Sequence, residues 1–428
     1  MLVEKLISLA FLGGTRKIGS SAIAVNMDNE IVLLDYGSSP DLKKPDLPIK
    51  VNPSRVSAVI VSHAHIDHSG AVPWLFISAY KPLVIATPVT LELSDLLIRD
   101  MIKLSGPKLP FGVPELQRMM SSSVPLKYNA PIRINEDCVA TLLNAGHIPG
   151  SASILLKVKG KKIWYTGDIN LSDAWLTRGA DIVEDADIVI METTYSYKDH
   201  PDRRTEERKL VKTVKKITKE QGGVCLIPAF SVGRSQEVLI TLIAYGYDGT
   251  IILDGMSQAA TNILLAHPEL ICNWQALKEA SSRARWMRKT KERRKYIKKP
   301  VTIVAPAGML LGGWSRWYLE KIFGDDKNGI IFVSYQIPGT LGHRVLNERK
   351  IYYDGKEVEV NAHVDYFDLT SHAGKSQLKH ILKKLKSPEK IFFVHGEEEH
   401  CLRFAEEIRE EFGFDVEVPN LGDVFKIA

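Results

Sequence analysis

Short apolar runs recur along the chain, and several end on a residue that carries chemistry. The run 56–62 leads straight into His63. The run 31–34 ends at Asp35, and 163–165 leads through Thr166 and Gly167 to Asp168. The run 188–191 ends at Glu192, and 391–394 ends at His395. Runs of this length, rich in β-branched residues and bounded by polar residues or glycine, predict buried strands. Amphipathic helical patterns lie between them, for example over 205–219 and 375–385. Strands alternating with helices, with reactive side chains gathered at strand ends, predict a layered α/β enzyme.

Composition changes this picture little. A length of 428 residues permits two or three domains with a large core, and 45% apolar with 25% charged residues is ordinary for a globular protein. No apolar stretch is long enough to span a bilayer, so no membrane partner is expected. Cys138, Cys225, Cys272 and Cys401 are far apart and form no CxxC pair. This predicts unbridged, buried thiols in a reducing, cytoplasmic setting.

Charge is unevenly spread. Residues 283–299 hold ten Lys/Arg against one Glu, or +9, in a chain whose net charge is +5, so the remainder carries −4. Trp286 and Tyr296 interrupt the run, as expected where phosphates and bases are both contacted. A solvated helical surface is the competing reading. If the run binds nucleic acid, neutralising Arg293, Arg294 and Lys295 should flatten the salt dependence of binding.

The densest chemistry is the hexapeptide His63-Ala64-His65-Ile66-Asp67-His68. Three imidazoles and a carboxylate at the end of a strand form a donor set suited to Zn²⁺ or Mn²⁺. Further ligands should follow other strands. His147 stands among Gly146, Pro149 and Gly150 in a backbone too irregular for a helix. Asp168 offers a carboxylate able to bridge two ions, and His395 offers a last imidazole.

With these residues in view, the chain resembles the metallo-β-lactamase-fold hydrolases. The HxHxDH motif, Asp35 before it, the Gly-His at His147 and the Gly-Asp at Asp168 occur in that family's order. Later segments are similar to the β-CASP nucleases, a group that includes RNase J and the nuclease subunit of the cleavage and polyadenylation specificity factor. They are Glu192 in Met191-Glu192-Thr193-Thr194-Tyr195, His372 in Ser371-His372-Ala373, and His395 in Val394-His395-Gly396-Glu397. The stretches 228–237, 254–256, 306–313 and 335–341 resemble the inserted β-CASP domain.

The resemblance implies an α/β protein: a metallo-β-lactamase αββα sandwich from 1–197 and 347–428, interrupted by an α/β β-CASP domain over 198–346. It implies two Zn²⁺ per chain, one on His63, His65 and His147, the other on Asp67, His68 and His395, with Asp168 bridging. Asp67, His372 and Glu192 form the implied catalytic set, with His372 as proton donor and Glu192 orienting it. Asp35 would sit behind the ligands and fix their orientation. Ser231, Gly233, Arg234, Gly308, Gly312, Gly313, Tyr335, Gln336 and Arg344 are the candidates for substrate contact, because amide-rich turns and guanidinium groups suit phosphate oxygens. The expected activity is hydrolysis of single-stranded RNA, by endonucleolytic or 5′→3′ exonucleolytic cleavage. A DNA-processing nuclease and a non-catalytic RNA-binding subunit are the competing readings. Dimers are common in the group, so a homodimer and an RNA-processing complex are the expected partners to test.

Overall fold

The computed structural model describes residues 7–39 and 45–427. The chain divides into two compact units. Unit 1 comprises 1–173, 178–199 and 371–428, and unit 2 comprises 174–177 and 200–370.

Unit 1 contains two seven-stranded sheets. In the first, the spatial order is Val424–Lys426, Ile7–Gly13, Ala22–Met27, Glu30–Tyr36, Val56–Ile60, Leu83–Ala86 and Ser123–Pro125. In the second it is Val416–Glu417, Lys390–Val394, Ile188–Glu192, Lys161–Tyr165, Ala152–Val158, Cys138–Asn144 and Pro131–Arg133. Strand alternation sends Val32, Leu34 and Ile60 of one sheet into a shared core with Ile154, Ile163, Ile190 and Phe392 of the other. The intervening residues point outward. Leu33 and Val59 pack under the helices Pro88–Ser105 and Val113–Ser121. Trp164, Val189, Met191 and Phe393 pack under the helices Lys375–Lys384 and Glu398–Phe412. This is the αββα sandwich. Both faces of each central strand are covered, which explains why these strands read as unbroken apolar runs. Each fully buried aliphatic side chain contributes about 1.5–3 kcal/mol over leaving it exposed, so polar chemistry is confined to the strand ends.

Unit 2 holds one six-stranded sheet in the order Arg285–Trp286, Ile251–Leu253, Val301–Ala305, Val224–Pro228, Gly329–Phe332 and His363–Tyr366. Every neighbouring pair in it is parallel. Leu226, Ile252, Ile303 and Ile330 lie at its core.

By contact, the chain passes from unit 1 to unit 2 near residue 200 and returns to unit 1 at 371, beside sequence-based boundaries of 198 and 347. The hairpin Lys350–Tyr353 with Lys356–Glu359 is followed by His363–Tyr366, which pairs with Gly329–Phe332 and so keeps 347–370 in unit 2. Among the described residues, no helix is long and apolar enough to cross a membrane. Cys138, Cys225 and Cys401 are buried free thiols, whereas Cys272 is exposed, against expectation.

Candidate metal centre

The site lies at strand ends within unit 1. Asp35 is near the end of Glu30–Tyr36, and His63 is the third residue after Val56–Ile60. Asp67 and His68 fall in the single helical turn Ile66–Ser69. His147 occupies the loop joining Cys138–Asn144 to Ala152–Val158, and Asp168 follows Lys161–Tyr165. Glu192 ends Ile188–Glu192, and His395 follows Lys390–Val394. Asp35 and His395 both adopt left-handed backbone, with φ of 57° and 52°. Strained backbone of this kind persists only where the surroundings over-determine it.

Seven of the candidate ligands converge. His63, His65, His147 and Asp168 offer donor atoms within 4.8 Å of one another, and so do Asp67, His68 and His395. Asp168 faces both groups. Its Oδ2 is 3.5 Å from His63 Nε2 and 3.6 Å from His147 Nε2. Its Oδ1 is 3.3 Å from His68 Nε2 and 3.2 Å from His395 Nδ1. His395 Nε2 is 3.4 Å from Asp67 Oδ2. His68 Nε2 and Asp168 Oδ1 are buried without a hydrogen-bond partner among the described residues. The donor set and these two atoms fit a metal ion.

The electrostatics agree. Burial, then the neighbouring imidazolium charge of His68, pulls the His63 pKa well down, and burial with His372 does the same for His147. Burial lowers His65 to about 4. These three imidazoles are therefore neutral, the form that offers a lone pair to a metal. Burial opposes ionisation of Asp168, but His395 and His68 outweigh it and hold the carboxylate well below its usual range. Burial also disfavours the His68 imidazolium, yet Asp168 and Asp35 raise it well above normal. Buried carboxylates here require positive charge, and a cation meets that requirement.

Asp35 is fully buried. Its Oδ2 lies 2.7 Å from His68 Nδ1 and accepts bonds from Tyr165 Oη at 2.8 Å and Ser62 Oγ at 2.7 Å. Its Oδ1 accepts from the Ser62 amide at 2.6 Å. Asp35 thus fixes one candidate ligand, His68, from behind. Ser62 and Tyr165, together with Thr194 Oγ1 at 3.2 Å from His395 Nδ1, belong to this supporting layer. Sequence reasoning missed all three; their only signal was adjacency to the ligand motifs. His147 Nδ1 is held by the Ser371 carbonyl at 2.9 Å.

His372 stands beside the donors. Its Nδ1 is 3.0 Å from Glu192 Oε1, and its Nε2 is 3.9 Å from Asp168 Oδ2. Burial alone would lower its pKa, but Glu192, then Asp168 and Asp67, raise it to about 9. Glu192 Oε1 also accepts the Ile169 amide at 2.8 Å, which ties His372 and the Asp168 loop to one carboxylate.

The candidates for substrate contact all lie in unit 2, either on loops that follow the C-terminal ends of its parallel strands or in the helices after those loops, where Arg234 and Gly313 begin Arg234–Ala244 and Gly313–Ile322 and Arg344 lies within Leu341–Glu348. Crevices at such ends are the usual ligand sites of open parallel sheets. Gly308 packs so closely on Ala229 and Phe230 that an added Cβ would come within 3.3 Å of their backbone. Gln336 is buried, and its amide donates to Gly308 O at 3.3 Å and Ser334 O at 2.8 Å. Gly233, with φ of 76°, precedes the helix Arg234–Ala244, and Gly313 has φ of 64°. Ser231 is buried, Gly312 and Tyr335 are half-buried, and Gly313 is exposed. The two candidate guanidinium groups lie in different surroundings. Arg234 is buried, and burial with the nearby Arg203 charge lowers its pKa to about 10. Arg344 pairs with Glu348 at 3.1 Å and also with Glu357, so its charge is already met within unit 2.

Family models match three segments: the Metallo-beta-lactamase superfamily over residues 15–197, the Beta-Casp domain over 235–345, and the Zn-dependent metallo-hydrolase RNA specificity domain over 357–419. Among curated proteins, RNase aCSPSF2 of Saccharolobus solfataricus is 36% identical across 97% of this chain and 84% of its own length. Probable RNase MJ4 of Methanocaldococcus jannaschii is 36% identical across 98% of this chain and 100% of its own length. Transcription termination factor FttA of the same organism is 34% identical across 98% of this chain and 72% of its own length. A crystal structure of a protein of unknown function from Enterococcus faecalis V583 shares the fold, with a TM-score of 0.63, 15% identity and coverage of 99% and 100% of the two chains.

Proposed function

The chain belongs to the metallo-β-lactamase superfamily, in the branch that carries a Beta-Casp domain, and from that premise we propose that it is a zinc-dependent ribonuclease hydrolysing phosphodiester bonds of single-stranded RNA. The observation that carries the reading is the arrangement about Asp168. One carboxylate oxygen faces His63 and His147, the other faces His68 and His395, and His372 stands 3.9 Å away with its far nitrogen on Glu192.

In this reading His63, His65 and His147 would hold one zinc ion and Asp67, His68 and His395 a second, and Asp168 would serve both groups. Bound zinc supplies Lewis-acid stabilisation of charge on phosphoryl oxygens and acidifies water. The remaining work belongs to the protein. Asp35 holds His68 in the tautomer that leaves Nε2 free for a ligand role, and the Ser371 carbonyl does the same for His147. Glu192 fixes the His372 ring and keeps its proton at neutral pH, so His372 protonates the departing oxygen. The scattered cysteines fit a cytoplasmic enzyme, and light scattering on the purified protein tests for the homodimer.

The test is a product ladder from RNA labelled at one end, carrying a 5′ phosphate or triphosphate, beside DNA of the same sequence. The expected result is zinc-dependent cleavage of RNA, and the ladder separates endonucleolytic from 5′→3′ exonucleolytic action. Robust cleavage of DNA alone would replace this reading with a DNA-processing nuclease. Protein that retains no metal and cuts neither polymer when zinc is supplied would be an RNA-binding subunit.

A further inference from the structure

The basic run 283–299 forms one edge of unit 2. Arg285–Trp286 is the edge strand of its sheet, pairing with Ile251–Leu253, and the helix Thr290–Tyr296 follows. Arg293 faces inward, which corrects its expected solvent-facing role. Its Nε and Nη2 each donate to Asp254 at 2.7 Å, and its guanidinium lies 3.5 Å from the Trp314 ring centre. Tyr318 Oη donates to Asp254 at 2.8 Å. This buried anchor fixes which face of the helix meets solvent. The other nine basic side chains of the run are exposed. Among the described residues only Arg283 of these nine lies within ion-pair distance of a carboxylate, Glu279 at 3.5 Å. A concentration of cations with so little internal neutralisation favours polyanion binding.

The same edge forms an open groove of about 590 Å³, lined by Arg283, Arg285, Trp286, Lys295 and Tyr296, with Glu292. Its size is within the roughly 300–1,000 Å³ of ordinary ligand pockets. Glu292 accepts the amides of Arg288 and Lys289 at 3.2 and 3.1 Å, so its charge is engaged by the start of the helix. Trp286 Nε1 donates to Ser281 O at 2.9 Å, which holds the indole in place. The Arg285 guanidinium lies 5.7 Å from the Tyr296 ring centre. Two half-buried aromatic rings set beside Arg285 and Lys295, neither within ion-pair distance of a carboxylate among the described residues, match the demands of single-stranded nucleic acid, whose exposed bases stack while its phosphates pair. A duplex keeps its bases stacked internally and gains nothing from the rings.

We propose that this groove is a second RNA-binding site, built wholly from unit 2, in which Arg285 and Lys295 hold phosphates while Trp286 and Tyr296 stack on bases. It rests on the reading that RNA is the substrate. The test uses the full chain carrying His372→Ala, so that binding is measured without turnover. Labelled oligouridine of about 20 nucleotides is titrated by fluorescence anisotropy between about 50 and 200 mM salt. Arg285→Glu with Lys295→Glu should weaken binding at least about 10-fold and flatten the logarithmic salt slope by about 1.4, at roughly 0.7 per phosphate contact on a single strand. Trp286→Leu should weaken binding roughly 10-fold while leaving the slope unchanged. Circular dichroism checks that each variant is folded. Unchanged affinity and slope in the folded charge-reversed variant would overturn the proposal. So would displacement of oligouridine by polyglutamate as readily as by unlabelled oligouridine, which would mark an acidic protein partner. If the parental enzyme cleaves no RNA at all, the catalytic reading fails while the anisotropy still reports on the groove.

Discussion

Asp168 divides its two carboxylate oxygens between two pairs of imidazoles, so removing it strips a donor from both groups at once. Asp168→Ala is expected to lose both ions, and elemental analysis of the purified variant checks this; retention of one full equivalent would break the sharing assignment. His372→Ala should behave differently. Loss of a positioned proton donor costs about 10²–10⁴-fold in cleavage, and metal content should stay at the parental level. The His372 imidazolium has its pKa raised to about 9, so the charged form dominates at neutral pH and disappears as pH rises through that value. Cleavage should therefore fall on the alkaline side. Glu192→Gln, which removes the largest raising charge, should move that fall to lower pH, and an unmoved alkaline limb in the rate profile would remove His372 from the role. At this scale the candidate donors were legible because imidazoles and carboxylates are rarely so dense by chance, and the structure brings them together. Ser62, Tyr165 and Thr194 were not, because a single hydroxyl beside a motif is equally common in turns and cores. Arg293 was misread because a run of charges does not show which one the helix turns inward.

Elements carried the clearest message where both faces of a strand are buried. Glu30–Tyr36, Ile188–Glu192 and Lys390–Val394 gave continuous apolar runs and were found almost to the residue. Edge strands were silent. Ser123–Pro125, Pro131–Arg133 and Val416–Glu417 span only two or three residues and have no apolar stretch to mark them. His363–Tyr366 is likewise polar and not fully buried, so the sequence does not mark it as a strand. The helix Thr290–Tyr296 is held by one buried ion pair, and this makes its stability testable. Arg293→Ala leaves Asp254 buried and uncompensated, a situation that costs about 3–5 kcal/mol. Thermal denaturation should show a marked loss for Arg293→Ala and almost none for the exposed Arg294→Ala. Equal effects would place Arg293 at the surface.

At the scale of the whole molecule, the candidate metal donors among the described residues all belong to unit 1, so metal should stabilise the two units unequally. Ligand present at a thousand times its Kd adds about 4 kcal/mol to the state that binds it. Chelation should therefore speed amide hydrogen exchange in Ile188–Glu192 and Lys390–Val394 more than in Val224–Pro228 of unit 2. Uniform acceleration would show that the metal stabilises both units alike. The insertion of unit 2 into unit 1 has a further consequence in time. Strand Lys390–Val394 is an interior member of the second sheet, lying between Ile188–Glu192 and Val416–Glu417, and His395 follows it. Roughly 200 residues are synthesised between the departure from unit 1 and the arrival of that strand. At about 5–20 residues per second this interval is on the order of 10–40 s. Throughout it the nascent chain has an unpaired sheet edge and an incomplete second donor group. Cleavage that needs His372 and His395 is therefore expected only after those residues have been synthesised, and a stalled chain that ends before Lys390 should be inactive.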